Sequence, residues 1–303
     1  MKILVAIDNS TSSKTVLDAA VTRVWPAGTT FCVLNIVNLQ RFERLPALIE
    51  DATREGQHLV EEGAKKISRA GYEAFSKAIP GHPRSDISCY AKEWGANLIL
   101  VGSHGHGVVG RFLLGSVAQG VLRTAPCSVE IVRTVPASSS PMRVLFATDG
   151  SDCSIAAAQS VAAQPWPPRS LFRVLSVEEL MVVANQMEAA SLSAIYPASL
   201  LEELTTQARD RARSASEGAR TILSRAGLIL DRGDSMPLGE PRSVILDTAK
   251  DWRADLVVVG SHGKRGLDRF LLGSVSEAVA IHALCSVRVV RASQHAKDNR
   301  RAG

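Results

Sequence analysis

The sequence predicts an α/β protein built as two tandem doubly wound domains, each a five-stranded parallel sheet with helices on both faces. Three observations predict it. The chain repeats itself at the length of a whole domain, apolar runs alternate with helical patterns in both copies, and the central apolar runs are unbroken. A length of 303 residues agrees, because a single core rarely grows past roughly 250–300 residues.

The repeat is traced by residues that recur in register. Lys2-Ile-Leu-Val-Ala-Ile-Asp8 parallels Arg143-Val-Leu-Phe-Ala-Thr-Asp149, and Trp25-Pro26 parallels Trp166-Pro167. Ser68-Arg-Ala-Gly71 returns as Ser224-Arg-Ala-Gly227, and Gly81-His-Pro83 as Gly239-Glu-Pro241. The closest match is Val101-Gly-Ser-His-Gly105 with Val259-Gly-Ser-His-Gly263, followed by Arg111-Phe-Leu-Leu-Gly-Ser-Val117 with Arg269-Phe-Leu-Leu-Gly-Ser-Val275. The expected domains are 1–134 and 142–292, joined by a Pro/Ser linker at 135–141, a composition suited to a spacer. Residues 293–303 read as a disordered basic tail. The second copy is longer, mainly through Glu178–Leu200, which reads as a loop or short extra helix.

In chain order, the first copy offers strands at 2–7, 31–37, 73–79, 97–102 and 127–132. The second offers 143–148, 171–177, 228–235, 255–260 and 286–290. Leu98-Ile-Leu-Val101 and Leu256-Val-Val-Val259 are apolar throughout, as expected when helices cover both faces of a parallel sheet. Helical segments fall at 11–24, 46–70, 85–94 and 115–124. They open on capping residues or proline: Ser10 and Ser12, Pro46, Pro83 with Ser85, and Ser116. In such folds ligands bind at the carboxyl ends of the strands.

Composition narrows the function classes. Hydrophobic residues make up 46% and charged residues 21%, ordinary for a soluble globular protein. No apolar run is long enough to cross a bilayer, and the short run before Asp8 reads as a strand, not a leader. The five cysteines are scattered without a C-x-x-C pair, so neither a disulfide framework nor a zinc site is indicated and a reducing cytoplasm fits. The net charge of +5 includes Lys297, Arg300 and Arg301 of the tail. A nucleic-acid binder would show a clustered basic face with stacking aromatics, and none is visible.

The sharpest chemical signal follows the fourth strand of each copy. It is Gly102-Ser-His-Gly105, nine residues, then Gly115-Ser116, and again Gly260-Ser-His-Gly263, nine residues, then Gly273-Ser274. Glycines admit positive φ and close backbone approach, and their amides can cradle an anion. The second glycine opens a helix, whose free N–H groups and dipole favour phosphate. A plain strand-to-helix turn with a serine cap is the competing reading. Gly105-His-Gly107-Val-Val-Gly110 also spells G-x-G-x-x-G, with Glu130 about 20 residues on. It follows the fourth strand instead of the first, and copy two breaks it at Lys264, Arg265 and Arg288. A dinucleotide site is therefore not expected. Asp8 and Asp149 end their first strands, where ligand contact and a capping or Asx-turn role both stand. His104 and His262 flank the loops, and Arg111 and Arg269 reach either phosphate or solvent.

The paired glycine loops, the Asp-x-Ser after strand one and the Gly-x-Pro after strand three together resemble the ATP-binding subclass of the universal stress protein family, over nearly the whole chain. That resemblance implies five parallel strands per domain and ATP, with or without Mg2+, across their carboxyl ends. It places Asp8 and Asp149 at the adenosine end, the backbones of Ile36 and Val177 on adenine, and Val101 and Val259 along the ring and ribose. Gly102, Gly105, Gly115 and Ser116 would hold phosphates, as would Gly260, Gly263, Gly273 and Ser274. It further implies pairing of the last strands, here within one chain with Glu130 opposite Arg288, and a homodimer of chains. Asn9, where copy two has Gly150, is the one departure in these motifs. The resulting function is an ATP-holding sensor or scaffold in a stress response, with no catalytic residue identified. A slow ATPase or phosphotransferase and a nucleotide-free dimerisation module are the alternatives.

Overall fold

A computed structural model describes residues 1–42, 46–104, 114–136, 140–178, 197–233, 236–263 and 272–291. The first half runs β1 (Lys2–Ala6), α1 (Thr11–Thr22), β2 (Thr30–Asn38), α2 (Leu48–Arg69), β3 (Glu73–Gly81), α3 (Pro83–Trp94), β4 (Leu98–Gly102), α4 (Ser116–Thr124) and β5 (Ser128–Val132). The second runs β6 (Arg143–Ala147), α5 (Asp152–Ala163), β7 (Leu171–Leu175), α6 (Ala198–Arg225), β8 (Ile229–Leu230), α7 (Pro241–Asp251), β9 (Leu256–Gly260), α8 (Ser274–His282) and β10 (Ser286–Val290). The α/β class and the alternation of elements agree with the sequence reading. Most of the Glu178–Leu200 segment, the middle of the linker and the basic tail lie outside the described residues.

The strands form one sheet in the order β3-β2-β1-β4-β5-β10-β9-β6-β7-β8. Neighbours are parallel except β5 and β10, which run antiparallel with Val129 opposite Val289, Glu130 opposite Arg288 and Ile131 opposite Val287. β1 lies between β2 and β4, so the chain reverses its winding direction there, as it does at β6 between β7 and β9. On one face α3, α4, α7 and α8 cover a single apolar core continuous through both halves, including Leu122, Val129, Val279 and Val287. On the other, α1 and α2 close one core around Phe31, and α5 and α6 close a separate one around Phe172.

Polar contacts tie the halves in a reciprocal way. Arg133 donates to Ile281 O at 3.1 Å, at the end of α8, and Arg291 donates to Leu122 O at 3.0 Å, at the end of α4. Each guanidinium thus sits at the negative end of a helix in the opposite half. Arg133 N donates to Ser286 Oγ at 3.1 Å and Arg291 N to Ser128 Oγ at 3.2 Å.

Several strands end one or two residues short of the expected bounds, and one is far shorter. Among the described residues the strand read at 228–235 is corrected to Ile229–Leu230, and 234–235 lie outside them. After Leu230 the sequence turns to Asp231-Arg-Gly233, with no apolar side chain to cover; Asp231 N still donates to Phe172 O at 2.7 Å, and its carboxylate pairs with Arg173. Parallel pairing resumes at one bridge, Glu178 with Leu238.

The two copies also differ in backbone strain. Gly28 and Gly95 take φ of +72° in the first half; the matching positions in the second are Arg169 at +64° and Arg253 at +52°. A left-handed conformation costs a side-chain-bearing residue roughly 1–2 kcal/mol. Arg169→Gly and Arg253→Gly are each expected to raise the melting temperature by about 2–4 °C per kcal/mol recovered, additively because the sites share no partner. Calorimetry of the two single variants and the double checks this.

Candidate functional site

At the first reversal of winding, the carboxyl ends of β1 and β4 part and leave a crevice of about 770 Å³. That size is within the usual range for small-molecule pockets. Asp8, Ile36, Val101, Gly102, Gly115 and Ser116 all line it, as does His104. Gly105 lies outside the described residues, as do His106, Arg111, Lys264 and Arg269. The sequence reading missed the wall contributed by α2, where Glu55, Gly56, His58 and Glu62 line the crevice. Its only forewarning was a polar residue inside an apolar strand. Asn35 donates from Nδ2 to Ile7 O at 2.8 Å, and its Oδ1 occupies the space a side chain at Gly56 would need.

Asp8 shapes the turn after β1. Its Oδ1 accepts from Ser10 N at 3.1 Å, from Ser13 Oγ at 2.8 Å and from the Ser10 hydroxyl, while its own N–H donates to Ser13 Oγ at 2.8 Å. The Asx-turn role is therefore present. Ser10, the residue before α1, spends its hydroxyl on Asp8 and makes no side-chain cap of the helix.

The glycines divide by what surrounds them. A methyl group at Gly102 would stand 2.8 Å from Ser12 Cβ, and one at Gly260 would stand 3.0 Å from backbone atoms of Cys153 and Ser154. These two positions let β4 and β9 end against the first turns of α1 and α5. At Gly273 the nearest atom is Ser261 O, 3.2 Å away. Each loop is pinched at its base: Gly115 N donates to Ser103 O at 2.7 Å, and Gly273 N to Ser261 O at 2.8 Å. Gly115 and Gly273 precede α4 and α8 in extended conformation without side-chain caps, so the first-turn N–H groups there have no intrahelical acceptor.

Two buried nitrogens mark the same loops. His104 Nδ1 lies 2.9 Å from Ser103 Oγ and His262 Nδ1 lies 2.9 Å from Ser261 Oγ. The Nε2 of both rings is buried and has no hydrogen-bond partner among the described residues. Burial, with Arg291 nearby, pushes His262 below the ordinary histidine range, which leaves a neutral ring at pH 7. A phosphate-bearing ligand suits the free helix-end amides, and a ring whose Nδ1 accepts from the neighbouring serine carries its proton on Nε2, where it can donate to a phosphate oxygen.

The second half is built differently. Gly150 takes φ +72°, whereas Asn9 stays at negative φ. Ser151 Oγ donates to His262 O at 3.2 Å, and the Asp149 carboxylate lies 2.8 Å from where a methyl on Gly263 would stand. The turn after β6 is thus fastened to the loop after β9. Val177 follows the end of β7, and its neighbour Glu178 is buried beside Arg209 at 3.4 Å where the first half has Val37. Val259 and Gly260 end β9, and Ser274 starts α8. Burial raises the Cys127 thiol to about 12 and Cys285 to about 11, so neither is a thiolate at neutral pH. Among the described residues, no three His, Cys, Asp or Glu side chains gather to hold a metal ion.

Fold and crevice define the class: a duplicated, doubly wound α/β protein with a ligand-sized cleft at the topological switch point. The chain belongs to the universal stress protein family, whose sequence profile matches residues 1–133 and again 141–291. It is similar to a universal stress protein of Mycolicibacterium smegmatis, 28% identical over 252 residues that cover 82% of this chain and 80% of the relative. A universal stress protein of Mycobacterium tuberculosis is 30% identical over 207 residues. That match covers 65% of this chain and spans 63% of the relative's length. In structure the chain resembles a universal stress protein from Archaeoglobus fulgidus, with TM-score 0.66, 22% identity, and coverage of 96% of this chain and 98% of that one. This likeness shows the fold.

Proposed function

We propose that the chain binds ATP at the switch points of two domains, 1–134 and 142–292, and serves a stress response as a nucleotide-dependent sensor or scaffold. The observation that carries this reading is the open crevice in which Asp8, Ile36, Val101, Gly102, Gly115 and Ser116 converge. The first-turn amides at Ser116 would hold phosphate oxygens, joined by Gly105 in the loop. Asp8 would take the adenosine end with the carboxylate oxygen its turn leaves unused, and the Ile36 backbone would meet adenine. Asp149, Val177, Val259, Gly260, Gly263, Gly273 and Ser274 are the counterparts in the second half. Bound nucleotide would supply a triphosphate whose oxygens carry any Mg2+, which commonly needs only one or two carboxylates besides phosphate. The halves pair within one chain through β5 and β10. No helix among the described residues is long and apolar enough to cross a membrane, and the free thiols suit the cytoplasm.

Native mass spectrometry of gently purified protein, with thermal denaturation in ATP, tests the reading. Intact ATP is expected to co-purify, and ATP at a hundred times its dissociation constant should add about 2.7 kcal/mol of stability. Asp8→Asn should lower the affinity. Steady phosphate release lost in Asp8→Asn would favour the ATPase alternative. No bound nucleotide and no thermal shift would leave only a pairing module.

A further inference from the structure

On one face of the sheet the two halves share an apolar core, and the one ion pair found across them there among the described residues, Arg123 with Glu277 at 2.7 Å, is largely solvent-exposed and therefore weakly selective. The other face is different. Between its two separate cores lie Arg23, Glu130 and Arg288, each at most 5% exposed. Arg23 pairs with one oxygen of Glu130, and Arg288 Nη2 stands 2.8 Å from the other. Arg288 also donates to Gln164 Oε1 and lies over the Trp166 ring at 5.9 Å.

The positions are related by the repeat. Glu130 and Arg288 are the same position in the two copies, and so are Arg23 and Gln164, each two residues before the Trp-Pro pair. Because Glu130 faces Arg288 directly, this position lies on the pseudo-two-fold axis. A residue on such an axis meets itself in any pairing of like with like. Two second halves would bury Arg288 against Arg288, with only Gln164 to accept from each. Two first halves would set Glu130 against Glu130. Two first halves would still keep each Glu130 beside its own Arg23, whereas a pair of second halves leaves Arg288 with no acid, which only a first half supplies. The seam is also poorly arranged for stability, since Arg23 Nε and Nη2 are buried without hydrogen-bond partners among the described residues. Replacing a buried ion triad by apolar side chains is often neutral or stabilising, whereas partner choice is one attested use of such groups.

We propose that the Arg23–Glu130–Arg288–Gln164 seam is a selection device that makes the second half accept only a first half as its β-edge partner, and so bars exchange of like halves between chains. This rests on the pairing of halves proposed above. The acid sits on the first half and the cation that needs it on the second, so the apolar face supplies adhesion while the charged face supplies identity.

The test places a protease site at 137–139 of the full chain, cuts the folded protein, and follows the halves by native mass spectrometry with circular dichroism. The cut wild type is expected to remain a mixed pair, one half of each kind. The seam-neutral variant Arg23→Met/Glu130→Leu/Arg288→Met is expected to stay folded and to redistribute toward like pairs on mixing. A redistributing wild type, or a neutral variant that keeps only mixed pairs, overturns the selection role. Separation of the cut wild type into single halves overturns the pairing itself. Should the cut neutral variant unfold, the uncut chain answers with Val287→Cys/Val289→Cys. These cysteines meet between chains only when β10 pairs with a second β10. After refolding and oxidation, covalent dimer should be at least about tenfold more abundant with Arg288→Met than with Arg288, given the cost of facing like charges; equal yields overturn the proposal.

Discussion

Glu130→Gln is expected to cost the folded chain about 3–5 kcal/mol, the usual effect of removing one partner from a buried ion group. Both oxygens of Glu130 are engaged, and its side chain is fully buried between two guanidinium groups. Glutamine preserves shape but leaves two buried cations without a counter-charge. The loss should appear as a lower midpoint in urea, with Arg23→Met/Glu130→Leu/Arg288→Met far less affected. Acid provides a second check. Burial alone would raise the Glu130 carboxyl, but Arg23 and Arg288 hold it below its ordinary value of 4.5. A depressed carboxyl stabilises the fold fully above the unfolded value, and the contribution disappears as pH falls through the folded one. The gap between wild type and Glu130→Gln should therefore stay constant near neutrality and narrow below pH 4.5. A gap that widened in acid would mean that Glu130 enters the fold protonated.

The second large effect expected is unequal loading of the two proposed nucleotide sites. In the first half the polar groups of the Asp8 turn are bonded among themselves, and the cleft stands open. In the second, Ser151 holds His262 and Asp149 rests on Gly263. Opening that contact gives up a hydrogen bond, a cost of about 1 kcal/mol, or roughly fivefold in affinity. The buried Glu178 carboxylate adds a further charge near the place expected for adenine. Titration followed by native mass spectrometry should show one nucleotide bound before the second, and Ser151→Ala should bring the two steps together. Equal filling from the outset would show that the fastened turn does not guard the second proposed site.

Much of the fold was legible because its causes are local. Unbroken apolar runs such as Leu98-Ile-Leu-Val101 can only be buried on two faces, and capping residues and prolines placed the helix starts within a few residues. The duplicated glycine loops located the crevice for the same reason: a strand end, a pinched loop and a helix start follow one another along the chain. The α2 wall was not legible, because Gly56 and His58 join the site through packing across β2 and not through neighbours in sequence. The shortness of β8 was hidden too, since an edge strand ends where its side chains no longer have a core to cover, and that limit is set by packing across the sheet.

By itself the sequence determined the duplicated α/β architecture, the strand and helix order and the two loops after β4 and β9, all of which depend on periodicity and turn chemistry read residue by residue. Only the tertiary structure decided that Gly102 makes room for Ser12, that the second turn is fastened to its loop, and that Arg23 and Gln164 join Glu130 and Arg288 in one seam. Those outcomes depend on which atoms occupy the same few ångströms after folding, and residues a hundred positions apart acquire that relation only when the sheet brings them together.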